Sequence, residues 1–483
     1  MGTLIDRPLV VVTNREPYVD ERTRTGIRHV QKAGGVVSAL DPLLRDVGGD
    51  WVAWASGSAD RHTAPGGVRP VPLDNPRYRL HRIYLTAEEV LGYYTRYANQ
   101  GLWPLSHLLI ERARFSRRAF TFYRNVNLKF ARRVARESQA SSLVFSHDYQ
   151  LALVPSQIRQ LRPDLAIAHF WHIPWPVFTV LRLCPQYQEI LRGLLGADVL
   201  GFQTDEDVDA FLTSVERSFR HVAVDYTQGQ IQWQGRVIHV KSFPISVDIA
   251  DIESVVQTAR ITRWSRAVRH RLLKPGQQLG LSVDRADYTK GIIPRLEALR
   301  EFFHRYPDQR GQVVFLQVVV PTRSEVSAYR SLFRHVEQES RRINEEFGTT
   351  TWTPVLTVRR SIDRYRLMGL YRAADFGLVS SLFDGMNLVA KEFVSAQVDR
   401  RGVLILSETA GAAQELDQAL SVNPWDPEGF AATLNLALSL SFDERKERLQ
   451  AMQQHLHEHT LYDWATDILT VLDSQAKAYV VES

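Results

Sequence analysis

Cysteine is almost missing from this chain: Cys184 is the single one in 483 residues. No intrachain disulfide and no thiolate metal cluster can form, which fits a reducing cytoplasm, the compartment expected here. No run of about 18 apolar residues occurs, so no membrane-spanning helix is read. Met1 to Pro8 lacks a basic stretch followed by an apolar core, so no signal peptide is read either. Charge of one sign is also scarce, since 59 Lys and Arg against 54 Asp and Glu leave a formal +5, and the basic residues are scattered. A small, diffuse excess suits an anionic small molecule, whereas a nucleic-acid duplex needs a concentrated basic face. The chain has no P-loop pattern, no compact GxGxxG, no HExxH and no acidic cluster of the metal-cage kind, so no metal or other cofactor is expected. Low-complexity tracts and internal repeats of about 20–50 residues are missing too.

What is present is a strand-and-helix rhythm. At 44% hydrophobic and 23% charged the chain is an ordinary globular one, long enough for two to four domains of about 100–200 residues. Short apolar runs at 9–12, 51–54, 68–71, 80–85, 143–146, 166–171 and 199–202 read as strands, with helical patterns among them. Residues 17–32 are polar and read as an irregular excursion or flap, and 221–242 alternate like antiparallel strands. Beyond Pro244 the rhythm resumes, with strands expected at 278–283, 312–320, 354–358, 375–380, 403–406 and 419–422. Alternation of this kind argues for an α/β fold of parallel, doubly wound sheets, whose right-handed crossovers put the strand exits of each sheet on one side. The expected boundaries are 1–245, 246–460 and a C-terminal helix at 461–483 that crosses back to the first domain.

The exits carry the chemistry. Asp384, Gly385, Met386, Asn387, Leu388 and Val389 follow an apolar strand and open a helix. Helix N–H groups there can hold phosphate. If Leu388 begins the helix, Glu392 lies one turn further on the same side as Asp384, and two carboxylates beside phosphate make sense as acceptors for sugar hydroxyls. A turn Asp and a solvated helical Glu are the competing reading. Arg285 and Lys290 bracket a turn before another helix, and Arg323 adds a third cation at the same edge. Two cations and a helix N-terminus describe a diphosphate site. In the first half Arg15 leaves the first strand as an anion clamp, Gly34 and Gly35 precede a helix, and Asp148 and His172 leave neighbouring strands. Tyr94 and Trp103 are either core aromatics or walls of a sugar site.

Taken in order, these residues, with Asn14, His147, Tyr149, Asp287, Tyr288, Gly291 and the run from Ser407 to Ala413, strongly resemble the trehalose-6-phosphate synthases. The resemblance covers about residues 9 to 470. It implies a GT-B architecture, two Rossmann-like domains facing a central cleft, and retaining transfer of glucose from a nucleoside-diphosphate glucose to glucose 6-phosphate in trehalose biosynthesis. It further implies that Arg285 and Lys290 bind the donor diphosphate, Glu392 its ribose, and Asp384 and His172 the donor glucose. Gly34, Gly35 and the Gly385, Met386, Asn387, Leu388 and Val389 backbone complete that donor site. Arg15 and Arg323 hold the acceptor phosphate, Tyr94 and Trp103 line its sugar, and Asp148 orients it. The implied catalytic set is Asp148, His172, Arg285, Lys290 and Asp384, with no metal.

Departures from the family pattern are Val36, Gln150, Trp175, Ala286 and Phe383. They leave the charged set intact but open the choice of acceptor and nucleotide. The opening Asn14, Arg15, Glu16, Pro17, Tyr18 also looks like the glucosylglycerol-phosphate synthases, which makes glycerol 3-phosphate the alternative acceptor. A non-catalytic sugar-phosphate sensor is a second alternative. The partners expected are a sugar nucleotide and a sugar phosphate, with no nucleic acid and no membrane, and homo-oligomer formation is left open.

Overall fold

The computed structural model describes residues 7–31, 35–322 and 327–482. The chain divides into two compact units, one of residues 1–245 with 461–483, the other of 246–460.

Unit one contains β1 (Leu9–Arg15), β2 (Tyr18–Thr23), β3 (Gly26–Gln31), β4 (Asp50–Trp54), β5 (Val68–Val71), β6 (Tyr78–Ile83), β7 (Leu143–His147), β8 (Ala166–Phe170), β9 (Val199–Phe202), β10 (Ala223–Asp225), β11 (Gln230–Trp233) and β12 (Arg236–Ser242). Ten of them form one sheet in the order β10-β11-β12-β9-β8-β7-β1-β4-β6-β5. Its centre is parallel, because β1, β7, β8 and β9 are apolar runs covered on both faces. The order reverses at β1, which lies between β7 and β4, so the exits of β1 and β7 open on one crevice.

β2 and β3 form a separate antiparallel hairpin where the sequence predicts irregular chain. The polar composition misled because part of this hairpin is buried as ions. Arg82 is buried against Glu16 at 2.8 Å, Asp20 at 2.9 Å and Asp60 at 2.9 Å, and Arg69 pairs with Asp20 at 2.6 Å. A charge network satisfies itself without an apolar face, so the usual hydrophobic signal is missing. Thr86 and Glu89 form a reciprocal capping box, but the helix it starts continues as a π-helix over Val90–Leu102. That geometry is rare and no hydrophobic period announces it. Helix Leu461–Glu482 belongs to unit one and sets Trp464 against Phe145 at 5.8 Å and Phe170 at 5.2 Å.

Unit two is a six-stranded parallel sheet of β13 (Gln278–Arg285), β14 (Val313–Val320), β15 (Val355–Val358), β16 (Phe376–Val379), β17 (Val403–Ser407) and β18 (Leu420–Val422), in the order β15-β14-β13-β16-β17-β18. Each expected strand is present within a residue or two. The order reverses between β13 and β16. Their exits are the segments that carry Arg285 and Lys290 on one side and Asp384 on the other.

Candidate functional site

In unit two, β13 ends at Arg285, and Asp287 caps the short turn Tyr288–Lys290 by accepting the Thr289 N–H at 3.2 Å. The next residue must be glycine. Gly291 has φ +60°, and a Cβ there would lie 1.8 Å from the Ser380 carbonyl oxygen. This close approach sets the β13 exit against the β16 exit, and the Leu382 N–H donates to the Thr289 carbonyl at 2.8 Å. Lys290 Nζ is in turn ion-paired to Asp384 Oδ2. The same oxygen accepts from Ser381 Oγ at 2.9 Å and Asn387 Nδ2 at 3.0 Å.

Asn387 holds φ +84° and caps helix Leu388–Ala396 through Ala390 N–H at 3.3 Å. A non-glycine residue in that region is strained, and such strain gathers at ligand-binding turns. The loop after β17 is laced to this turn by Gly411 N–H to the Asp384 carbonyl at 3.0 Å and Ala412 N–H to the Met386 carbonyl at 2.8 Å. Inside the helix Lys391 is buried on Glu415 at 2.6 Å, while Glu392 is half-buried and accepts from Tyr371 Oη at 3.0 Å. Burial pushes the Glu392 carboxyl above its usual range.

In unit one, Arg15 is exposed at the end of β1. It donates to Tyr94 Oη at 2.9 Å and lies 5.3 Å from the Trp54 ring centroid and 5.0 Å from that of Tyr94. Tyr94 and Trp103 are only 9% and 6% exposed. Trp103 packs on His107 at 4.2 Å and Tyr149 at 5.7 Å. Most of each ring is therefore core, which leaves little more than an edge to meet a sugar. Asp148, at φ +73°, accepts Tyr149 N–H at 3.0 Å and His172 N–H at 3.4 Å, so these exits of neighbouring strands meet. His172 Nε2 lies 3.2 Å from His147 Nδ1, and burial pushes its imidazole down to about 3, so it is neutral near pH 7. Gly35 opens helix Gly35–Val47. Gly34 and Arg323 lie outside the described residues.

Sequence reasoning passed over Ser381 and Tyr371, and it named His147 in the family resemblance without giving it a role. Ser381 and His147 stand at strand exits and were legible by position, whereas Tyr371 sits in a helix with nothing in the pattern to mark it. Among the described residues, no group of three or more His, Cys, Asp and Glu is placed to hold a metal ion, and no helix is long and apolar enough to cross a membrane. A cavity of about 460 Å³ in unit two, lined by Glu253, Asp399, Arg400, Lys446 and His457 among others, stands away from the exits described.

Residues 7–474 match the model of glycosyltransferase family 20. The chain is 37% identical over 474 residues to the trehalose-6-phosphate synthase of Mycobacterium sp. (strain JLS), covering 97% of this chain and 96% of that one. It is 38% identical over 470 residues to that of Mycolicibacterium smegmatis (strain ATCC 700084 / mc(2)155), covering 96% and 92%. Among solved structures, an E. coli protein bound with UDP-2-fluoro glucose superposes with a TM-score of 0.86 at 30% identity, over 96% of this chain and 98% of that one. The UDP-forming alpha,alpha-trehalose-phosphate synthase from Burkholderia xenovorans in complex with glucose-6-phosphate superposes with a TM-score of 0.85 at 32% identity, over 96% and 100%. Two doubly wound units with charged sheet exits and these structural relatives define a glycosyltransferase of the GT-B type. The chain belongs to glycosyltransferase family 20.

Proposed function

We propose that this enzyme transfers glucose, with retention at the anomeric carbon, from a nucleoside-diphosphate glucose to glucose 6-phosphate, giving trehalose 6-phosphate and a nucleoside diphosphate. The observation that carries the reading is the Lys290–Asp384 pair at the switch point of unit two, beside the N-terminus of helix Leu388–Ala396. The barrier is departure of the diphosphate from an oxocarbenium-like carbon. Arg285, Lys290 and the helix amides stabilise the leaving charge. A diphosphate that takes Lys290 leaves Asp384 held by Ser381 and Asn387, with acceptor capacity left for a hydroxyl of the donor glucose.

In this reading His172, held neutral, donates to or accepts from a glucose hydroxyl, and Glu392 accepts from the ribose. Arg15 and Arg323 take the acceptor phosphate, Tyr94 and Trp103 border its sugar, and Asp148 orients it. The leaving phosphate oxygen takes the acceptor proton, as the family resemblance implies, so Asp148 acts as an orienter and no protein base is needed. No metal takes part.

Because relatives are described as UDP-forming and one is solved with UDP-2-fluoro glucose, uridine diphosphate glucose heads the donor panel, with adenosine and guanosine diphosphate glucose beside it. Each is assayed against glucose 6-phosphate and glycerol 3-phosphate. Turnover with glucose 6-phosphate supports the proposal, turnover with glycerol 3-phosphate alone replaces the acceptor, and binding without turnover identifies a sensor.

A further inference from the structure

Glu392, the ribose carboxylate of this reading, has a buried partner in Tyr371. Tyr371 lies in helix Arg364–Ala373, immediately before β16, and is 1% exposed. Its ring is held edge-on to Phe393 at 6.4 Å and 88°, and its carbonyl accepts Gln397 Nε2 at 2.5 Å. Phe393 and Gln397 both lie in or just after the helix that carries Glu392, so the phenol is fixed relative to that helix from two directions. From there its hydroxyl donates to Glu392 Oε2 at 3.0 Å.

A glutamate side chain that must grip two vicinal hydroxyls loses rotamer freedom when it does so, and a partner that fixes the carboxylate beforehand removes that cost from binding. A buried tyrosine hydroxyl needs an acceptor. A carbonyl would have satisfied it, but here the acceptor is the carboxylate assigned to the ribose. One phenol uses one of the roughly four acceptor positions of a carboxylate, so capacity for sugar hydroxyls remains. Its donation also favours the ionised form against the burial that raises the Glu392 pKa.

We propose that Tyr371 is a positioning residue for nucleotide-sugar recognition: by orienting Glu392 it makes the enzyme select donors with an intact ribose over 2′- or 3′-deoxyribose donors. The proposal rests on the assignment of Glu392 to the ribose. The test compares kcat/KM for nucleoside-diphosphate glucose and its 2′-deoxy and 3′-deoxy counterparts, using the nucleotide chosen by the donor panel, in the wild type, Tyr371→Phe and Glu392→Ala. The wild type is expected to prefer the ribose donor over at least one deoxy donor by about tenfold or more, the scale of a hydrogen bond to a charged group.

Glu392→Ala should abolish that preference. Tyr371→Phe, which keeps the ring, should cut it about threefold or more. It should leave the KM for glucose 6-phosphate unchanged and move the acid limb of donor kcat/KM to higher pH. A Glu392→Ala enzyme that keeps the preference overturns the ribose assignment and this inference with it. Loss in Glu392→Ala with full retention in Tyr371→Phe overturns the role of Tyr371 alone. A Tyr371→Phe enzyme whose acceptor KM rises along with its donor KM has merely loosened, and the inference also fails.

Discussion

At the exits of unit one, His147 and His172 lie ring against ring, 5.4 Å between centroids, and Arg15 rests on the faces of Trp54 and Tyr94. At the exits of unit two, Lys290 is ion-paired to Asp384, and Ser381 and Asn387 point at the same carboxylate. The first edge is prepared by burial, which strips its histidines of charge. The second is held by opposite charges, Lys290 against Asp384. Three carboxylates of unit one, Glu16, Asp20 and Asp60, are kept around Arg82, where they hold the β2–β3 hairpin. On the proposed function, the neutral histidine pair orients hydroxyls without carrying charge, whereas the paired edge keeps a strong cation for diphosphate without leaving it unsatisfied.

The contrast can be broken most forcefully at Arg82. Arg82→Ala removes the arginine partner of buried Glu16 and Asp60 and one of the two arginines on Asp20, and should destabilise the protein by about 3–5 kcal/mol, read as a lower urea midpoint. A loss well under about 1 kcal/mol would mean that the hairpin is held some other way.

The next largest effect belongs to unit two. Lys290→Ala should slow turnover by roughly one to two decades, from a charge-assisted contact worth about 1.5–3 kcal/mol, with the circular-dichroism spectrum unchanged. Wild-type kinetics in this variant would remove the diphosphate assignment and with it half of the comparison.

A pH series sharpens the claim of neutrality. Burial lowers His147, His169 and His172 below the ordinary 6.5, the last two to about 3. Groups depressed in the folded state lend stability above 6.5, and that stability is lost as the pH falls toward 3. Urea midpoints should therefore drop between a pH of about 7 and about 5, while the His172 ring shows no titration in that window by NMR. A His172 ring that titrates near 6.5 would contradict a neutral edge.

Glu16 works in the opposite sense. Burial raises it from 4.5 to about 8. Its contribution is present below 4.5 and fades as the pH rises through about 8, and Glu16→Gln should flatten that part of the profile. An unchanged slope in the variant would place the proton on another carboxylate of the cluster. The smallest effect is expected from chelation: with cations and helix amides meeting the diphosphate, excess EDTA should leave activity largely intact. Complete loss restored by magnesium or manganese would show that the paired edge of unit two also needs a metal.

The exits were legible in the sequence because a short apolar run ending in Arg15, Asp148, His172, Lys290 or Asp384 states both the strand and the group it delivers. The hairpin of 18–31 was not, since contacts across 40 or more residues, such as the Asp20 N–H donating to Asp60 Oδ1 and Arg82 pairing with Glu16, leave no local period. Tyr94 and Trp103 read in the sequence as either core aromatics or walls of a sugar site, and their burial, which depends on partners distant in the chain, is what makes them mostly core.

By itself the sequence determined which groups leave the strands, their charge and the α/β rhythm that aims them at one edge, because those follow from local periodicity and from the handedness of parallel crossovers. Only the tertiary structure decided which partner each group keeps: Lys290 on Asp384, Tyr371 on Glu392, Arg82 among three carboxylates, His172 beside His147. Pairing energies depend on distance and burial between residues far apart in the chain, and neither quantity is written in the order of the amino acids.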